Sequence, residues 1–506
     1  MKSKTEELYD QVPYPQLCHS HTRIDRLKAI GALYGLETPP CDSCRVLELG
    51  CGPGTNILAM ACRWPGARFL GIDLSEVHVQ QAQETAVELG LGNIEFRHQS
   101  ITDPGPELGT FDYILAHGVY SWVPAEVRDR LLQICRQHLS ASGLAYVSYN
   151  ALPGWQTKTW LRDAMKCAET GPDSRAWIPQ GRAFAEQVLK SQALDGPAKA
   201  TFQQALQELD GQTEDYLLHD LLAENSQPFY FQEFVEHASR HRLHYLADAE
   251  DNYLLQAAQP VAAGAPPRLA DPLRREQKSD FLRHRSFRKS LLCREEAHID
   301  PEASEERLLD MWVLSFLRQD DSPGPLPAPG LTRFTTLNGN GRVFTGDPAL
   351  KAALKQLQGR FPHAIPFRDL LRTLGLSESQ AKEQGLGRSL LGVWKHGDLD
   401  LLVEDLPLPR QRGERSSINP IARHQARTTE SLTNLAHSTV NVVGPFLRLV
   451  PFVDGTRTDL ELAQKALEEG VIPRSPGAAP SGQLQEALAM IRSFLDWCLQ
   501  HALLER

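Results

Sequence analysis

The chain has 506 residues, 41% of them hydrophobic and 23% charged, with 53 Lys and Arg against 63 Asp and Glu for a formal net charge of −10. That length holds about two to four domains with cores of their own, and the acidic balance excludes a protein that coats nucleic acid, though not a local basic groove. No apolar run is long enough to cross a bilayer. The start, Met1-Lys2-Ser3-Lys4, lacks the apolar stretch of a signal peptide, so no membrane insertion and a cytoplasmic location are expected. The nine cysteines are scattered. Cys41 and Cys44 make a CxxC with no second pair to complete a zinc site, so free thiols are expected and no metal.

Taken in order, residues 23–36 have helical spacing. Strands are predicted at Val46–Leu49, Phe69–Ile72, Ile94–Arg97, Tyr113–Ala116 and Ala145–Tyr149, with helices between them at Asn56–Arg63, Val77–Leu89 and Ala125–Leu139. This alternation implies a Rossmann-like α/β domain over 1–155, with a ligand crevice at the carboxyl ends of the strands. Residues 156–258 then read as a helical insertion: Lys158–Ala168, Ala183–Leu194, Ala198–Leu209 and Phe231–His241. Two short strands, Leu243–Leu246 and Tyr253–Leu255, follow as the end of the sheet. Gln259–Pro267 and Ser322–Gly330 are rich in Pro, Ala and Gly and read as linkers. Between them, a basic middle region over 268–330 carries the arginines of Arg274–Arg294, expected to lie over a helix surface or to pair with acidic neighbours. In the C-terminal domain, 331–506, residues 347–405 look like an α+β winged-helix module. Its helices are expected at 349–358, 365–374 and 377–391, followed by a hairpin across Leu399–Val403. It lacks the dense Lys and Arg of a groove reader, which argues against a nucleic-acid partner.

The most specific signal is the turn after the first strand. Gly50, Gly52 and Gly54 let the backbone bend and approach a ligand closely, and Asp73 lies about twenty residues beyond the first glycines, where a carboxylate can hold ribose hydroxyls. Pro53 removes an N–H that a pyrophosphate would want, and Glu48 repels phosphates but suits a cation. Together they point to S-adenosylmethionine. The cofactor contacts expected are Glu48, Gly50, Cys51, Gly52, Gly54, Asn56, Asp73, Leu74, Ser100, Ile101 and His117. Ser100 stands where methyltransferases often have an acid, a weaker partner for adenine.

Methyl transfer from a sulfonium is an in-line displacement and needs an oriented lone pair about 3 Å from the methyl carbon. The loops after the fourth and fifth strands are aromatic, and rings facing a cation contribute about 0.5–2 kcal/mol each. Tyr120, Trp122, Tyr149 and Asn150 are therefore the catalytic candidates, with Tyr9 and Tyr14 on an N-terminal segment that could fold over as a lid. A pocket of this kind also favours the neutral form of an amine.

Several stretches resemble one family: Tyr9-Asp-Gln-Val-Pro-Tyr14, Glu48-Leu-Gly-Cys-Gly52, Gly71-Ile-Asp-Leu-Ser75, Tyr113 to Val123, Tyr146 to Asn150 with Pro153-Gly-Trp155, Phe229 to Phe234, and Phe281 to Arg288. They are similar to the bacterial class I methyltransferases that carry a methyltransferase regulatory domain, a group that includes the rickettsial protein-lysine methyltransferases. The likeness is strongest over 1–295 and looser beyond 330. It implies S-adenosylmethionine as cofactor, a helical middle that could form a homodimer, and a C-terminal module that shapes substrate access. A lysine on a protein is the expected acceptor; a small-molecule acceptor, or a cofactor sensor without turnover, are the alternatives.

Overall fold

A computed structural model of the chain describes residues 17–103, 108–168, 174–191, 193–212, 217–221, 223, 225–249, 271–322, 326–336, 342–395, 397–473 and 479–505. The expected lid residues Tyr9 and Tyr14 and the expected strand Tyr253–Leu255 lie outside them.

Apolar runs bounded by turn residues form the parallel strands β1 (Arg45–Leu49), β2 (Arg68–Asp73), β3 (Ile94–His98), β4 (Phe111–Ala116) and β5 (Leu139–Asn150). Helices α1 (Ile24–Leu33), α2 (Thr55–Arg63), α3 (Glu76–Glu88) and α4 (Ala125–His138) surround them. The start of α3 is fixed by the Ser75 hydroxyl, which accepts from the His78 N–H at 3.2 Å, and Gly90, at φ +67°, closes the following turn. Residues 140–143, between the expected helix Ala125–Leu139 and the expected strand Ala145–Tyr149, lie within β5, at an irregularity where its partner register against β4 jumps from Leu139 to Leu144.

The sheet has seven strands in the order β3-β2-β1-β4-β5-β7-β6 among the described residues. β6 (Leu243–Asp248) lies at one edge. β7, between it and β5, is Phe287–Arg294 and runs antiparallel to both. The basic stretch after 268 is therefore no separate region. Helix Pro272–Arg283 leads into β7, which joins the sheet, and Arg274, Arg275, Arg285 and Arg288 of this stretch pair with acids. Arg288 is fully buried, paired with Asp248 (2.7 Å) and Asp280 (2.8 Å), and stacks 4.0 Å above the Phe231 ring. A charge pattern that reads as a solvated helix face conceals this strand, because the charges are neutralised inside the fold.

One face of the sheet packs on α1–α3 and continues into the C-terminal half through Leu308, Val313, Leu354, Leu370 and Leu390. The other face packs on α4 and α8 (Phe231–Arg240). The helical insertion, α5 (Gln156–Lys166), α6 (Ser174–Lys190) and α7 (Gly196–Gln207), has its own core around Leu161, Met165 and Phe202. Beyond the sheet, helices 348–358, 367–374, 378–383 and 386–395 pack near a small sheet in which Trp312–Ser315 pairs with Ile365–Pro366 on one side and Leu399–Leu402 on the other. The expected hairpin at 399–403 is thus a single strand whose partner comes from residue 312 onward. A last core, around Leu449, Leu462, Ile491 and Leu495, holds the C-terminal helices.

One acid ties the halves together: buried Asp400 pairs with Arg23 (2.9 Å) and Arg26 across them, while Asp25 holds Arg23 (2.5 Å) and Arg63 (2.8 Å) within the N-terminal half. Removing one partner from such a network costs about 3–5 kcal/mol, because it strands a charge away from water.

Candidate active site

The cradle begins where β1 ends. Gly50, Gly52 and Gly54 all have positive φ, +70°, +52° and +78°. The Gly50 and Cys51 N–H groups donate to the Ile72 carbonyl at 2.8 and 3.1 Å, which clamps the turn to β2. A Cβ on Gly54 would lie 2.7 Å from the Phe96 ring and one on Gly50 2.6 Å from Val119, whereas one on Gly52 would meet nothing within 4 Å. Gly52 therefore faces open space. Its N–H donates to Asp73 Oδ2 at 2.7 Å, and the Ser75 N–H donates to Oδ1 at 2.9 Å, so the carboxylate at the end of β2 is held in a set orientation. Leu74 beside it is 41% exposed, an apolar surface at the crevice mouth. At the end of β3 the Ser100 hydroxyl pairs with that of Thr102 (2.7 Å), and Ile101 packs on the sheet core.

Glu48 is buried. Its Oε1 accepts from Asn56 Nδ2 at 2.7 Å, and its Oε2 has no hydrogen-bond partner among the described residues. Burial pushes its pKa up to about 8. A buried carboxylate oxygen without a donor, beside a turn with room for a ligand, fits a cationic group such as the amino end of S-adenosylmethionine. Asn56 is held by three donors on its Oδ1: the His19 N–H (3.1 Å), the Thr22 hydroxyl (3.1 Å) and His437 Nε2 (2.9 Å). They fix which way the amide points, leaving its NH₂ for Glu48. His437 stands between the short strands Ser431–Thr433 and Thr439–Asn441 in a left-handed conformation, φ +58°, unusual for a residue with a side chain. Nothing in the sequence marked His437; its partner is 381 residues away.

After β4 comes His117. The Ser148 hydroxyl accepts from the Gly118 N–H at 2.8 Å and fixes this loop. His117 Nδ1 meets the Tyr146 hydroxyl at 3.0 Å, and its ring lies 3.7 Å from that of His19 and 5.2 Å from that of His21. All three imidazoles have lowered pKa values. Burial is the main cause, and the Lys289 charge on β7 adds to it; His19 falls to about 4. They are neutral at pH 7. Of this group the sequence reading singled out His117 alone. His19 and His21 lie just before α1, where no local pattern marks them.

The aromatic candidates fall elsewhere. Tyr149 points to the opposite face of the sheet from Tyr146, three residues earlier, and stacks on Phe234 at 4.2 Å, its hydroxyl 3.3 Å from that of Ser290. Tyr120 is buried in the same core against Phe229 and Phe234, with its hydroxyl 2.6 Å from His237 Nδ1. Both rings pack α8 onto the sheet instead of lining the crevice. Trp122 is half-buried and meets Trp155 edge-on at 6.2 Å. Asn150 is buried, its N–H donating to the Ser121 hydroxyl at 2.8 Å and its Nδ2 without a partner. A cavity of about 260 Å³ lined by Glu305, Phe367 and Lys382 lies in the C-terminal half and includes none of the cradle residues.

A glycine turn on a seven-stranded sheet of this order, with an acid closing the second strand, defines a class I S-adenosylmethionine-dependent methyltransferase. Comparison with known proteins agrees. Residues 46–143 match the methyltransferase domain family, and residues 213–294 match the family described as a predicted methyltransferase regulatory domain. Uncharacterized protein RP789 of Rickettsia prowazekii is 32% identical over 456 residues, covering 86% of this chain and 81% of the relative. The solved structure of PKMT2 from Rickettsia typhi in complex with AdoHcy superposes with a TM-score of 0.82 at 25% identity, covering 97% of this chain and 100% of that one. A trans-aconitate 2-methyltransferase of Rhodopseudomonas palustris is 35% identical over 92 residues, 18% of this chain and 34% of the relative. The chain belongs to the family of the rickettsial relative, bacterial class I methyltransferases with a methyltransferase regulatory domain, and S-adenosylmethionine is its cofactor. The segment matched as regulatory supplies β6 and β7, and with them Lys289, so it is part of the catalytic sheet.

Proposed function

We propose that this enzyme methylates the ε-amine of a lysine on a protein. The observation that carries this reading is the group of three neutral imidazoles, His19, His21 and His117, with the Tyr146 hydroxyl, at the carboxyl end of β4 and joined to the cofactor turn through His19 and Asn56. S-adenosylmethionine, when bound, supplies an electrophilic methyl group. Gly52, Asp73 and Glu48 would hold its two ends. A lysine enters water as an ammonium and must lose one proton before its nitrogen has a lone pair to donate. The nearby Lys289 charge and the burial that keep the imidazoles neutral also disfavour the ammonium form in the pocket, so the amine leaves its proton to solvent as it enters, and the neutral imidazoles then accept a hydrogen bond from its N–H and orient its lone pair. The Tyr146 hydroxyl on Nδ1 orients the His117 ring, so that His117 is the hydrogen-bond acceptor for the amine in this reading.

The neighbouring structure bears the name of a protein-lysine methyltransferase, which supports a macromolecular acceptor. The likeness to a trans-aconitate 2-methyltransferase spans 92 residues, 18% of this chain, too short a stretch to carry over the acceptor. We read residues 347–405 as a winged-helix-like module that shapes acceptor access. Among the described residues no helix is long and apolar enough to cross a membrane. Transfer of label from methyl-tritiated cofactor to the protein fraction of a cell lysate, located on lysine by mass spectrometry, is the expected result. Label confined to metabolites that survive removal of protein would assign the small-molecule reading instead. Cofactor binding with no label in either fraction would assign a sensor.

A further inference from the structure

Outside the crevice, two helices bring three metal-ligating side chains together. His237 lies in the last turn of α8 and His241 four residues on, so both project from one side of that helix. Asp129 faces them from α4. Asp129 Oδ1 is 2.8 Å from His241 Nε2 and 3.4 Å from His237 Nε2, and all three ligand atoms lie within 4.8 Å of one another. We propose that Asp129, His237 and His241 bind one divalent transition-metal ion of the zinc type.

The distances separate this from a plain hydrogen-bonded cluster. A tetrahedral ion with bonds of about 2.0–2.1 Å holds its ligand atoms about 3.3 Å apart. The 3.4 Å separation of His237 Nε2 from Asp129 already matches that spacing and is long for a hydrogen bond. The His241 contact needs to open by only about 0.5 Å to reach it. The other nitrogen of His237 is engaged as well: Nδ1 lies 2.6 Å from the Tyr120 hydroxyl. A metal-bound imidazole is normally fixed in this way, its far nitrogen donating to an oxygen so that the near one presents its lone pair. Asp129 is 60% exposed, which gives the ion an entry path and leaves a coordination position for water. The crevice trio of His19, His21 and His117 is a poorer site, since no carboxylate joins it and the Lys289 charge opposes a cation there.

Such an ion clips α4 to α8 on the far face of the sheet. Through Tyr120 it also anchors the loop that carries His117, so bound metal stabilises the protein and stiffens one wall of the acceptor side.

The test is titration of the full-length, chelator-treated protein with Co²⁺ alone, read by the visible absorption of four-coordinate cobalt and by thermal unfolding. The wild type is expected to bind one equivalent that His241→Ala and Asp129→Asn both lack, and to unfold at a temperature that rises with metal only in the wild type. Both variants should keep their metal-free methyltransferase turnover, since neither residue lies in the crevice. Tyr120→Phe should retain the stoichiometry with affinity weakened about tenfold. A wild type without the cobalt signal, or variants that titrate as the wild type does, would overturn the site. Unchanged affinity in Tyr120→Phe would overturn the link to the loop.

Discussion

The two sides of the crevice are built in different ways. The cofactor side is local: Glu48, the turn from Gly50 to Gly54, Asn56 and Asp73 lie within 26 residues, on one strand–turn–helix–strand unit whose backbone hydrogen bonds fix its shape. The acceptor side is assembled from distant segments: His19 and His21 before α1, His117 after β4, Tyr146 on β5 and Lys289 on β7. His437 reaches in from the C-terminal half to hold the boundary between the two. A local unit can recur unchanged in enzymes with different substrates, and the match to a trans-aconitate 2-methyltransferase spans only 92 residues, 18% of this chain. Acceptor choice resides in what the rest of the chain brings to the other side.

Substitutions should therefore separate the two sides, and the largest effect is expected at the turn. Gly52→Arg forces a side chain onto a residue at φ +52° and into the open space of the cradle. Isothermal titration should show cofactor binding lost; unchanged affinity would mean that the cofactor lies elsewhere. His117→Phe keeps a ring of similar size but removes the hydrogen-bond acceptor that orients the amine, so kcat should fall about tenfold with cofactor affinity unchanged. A parallel loss of cofactor affinity would merge the two sides into one.

The third test uses pH. Free Glu48, with its pKa near 8, holds its proton at pH 7, and a cationic ligand favours the carboxylate. Binding then releases a proton, so affinity should rise with pH by up to about tenfold per unit below 8 and level off above it. Glu48→Gln should flatten the profile. In the ligand-free protein the same group acts in the opposite sense: its folded pKa is raised above the unfolded 4.5, so its contribution to stability is complete at low pH and is lost as pH climbs toward 8. The smallest effect is expected from His437→Ala, which takes one of three donors from Asn56. A hydrogen bond of this kind is worth about 1 kcal/mol, so cofactor affinity should fall about fivefold with kcat little changed.

The same division explains what could be read in advance. The strands β1 to β4 and the cradle residues are legible because short-range rules determine them: apolar runs, glycines at positive φ, and an acid at a set distance. β7 is not, because Arg288 and Lys289 make it look solvated when a buried cluster of Asp248 and Asp280 neutralises Arg288. The aromatic residues after β4 and β5 were given to the crevice. Alternation along β5 instead sends Tyr149 to the face opposite Tyr146, and a one-residue difference in phase decides which ring meets substrate. His19, His21 and His437 carry no local pattern, since each matters only for what it touches.

The bond from His437 to Asn56 also sets an order in time. A ribosome delivers the β1 turn early, and the residue that finishes orienting Asn56 emerges only after most of the chain has been made. Until then Asn56 has only the His19 N–H and the Thr22 hydroxyl to orient its amide toward Glu48. A nascent or prematurely terminated chain ending before residue 437 would therefore hold the whole glycine motif with one of three supports missing, and grip its cofactor more weakly by the margin expected of His437→Ala.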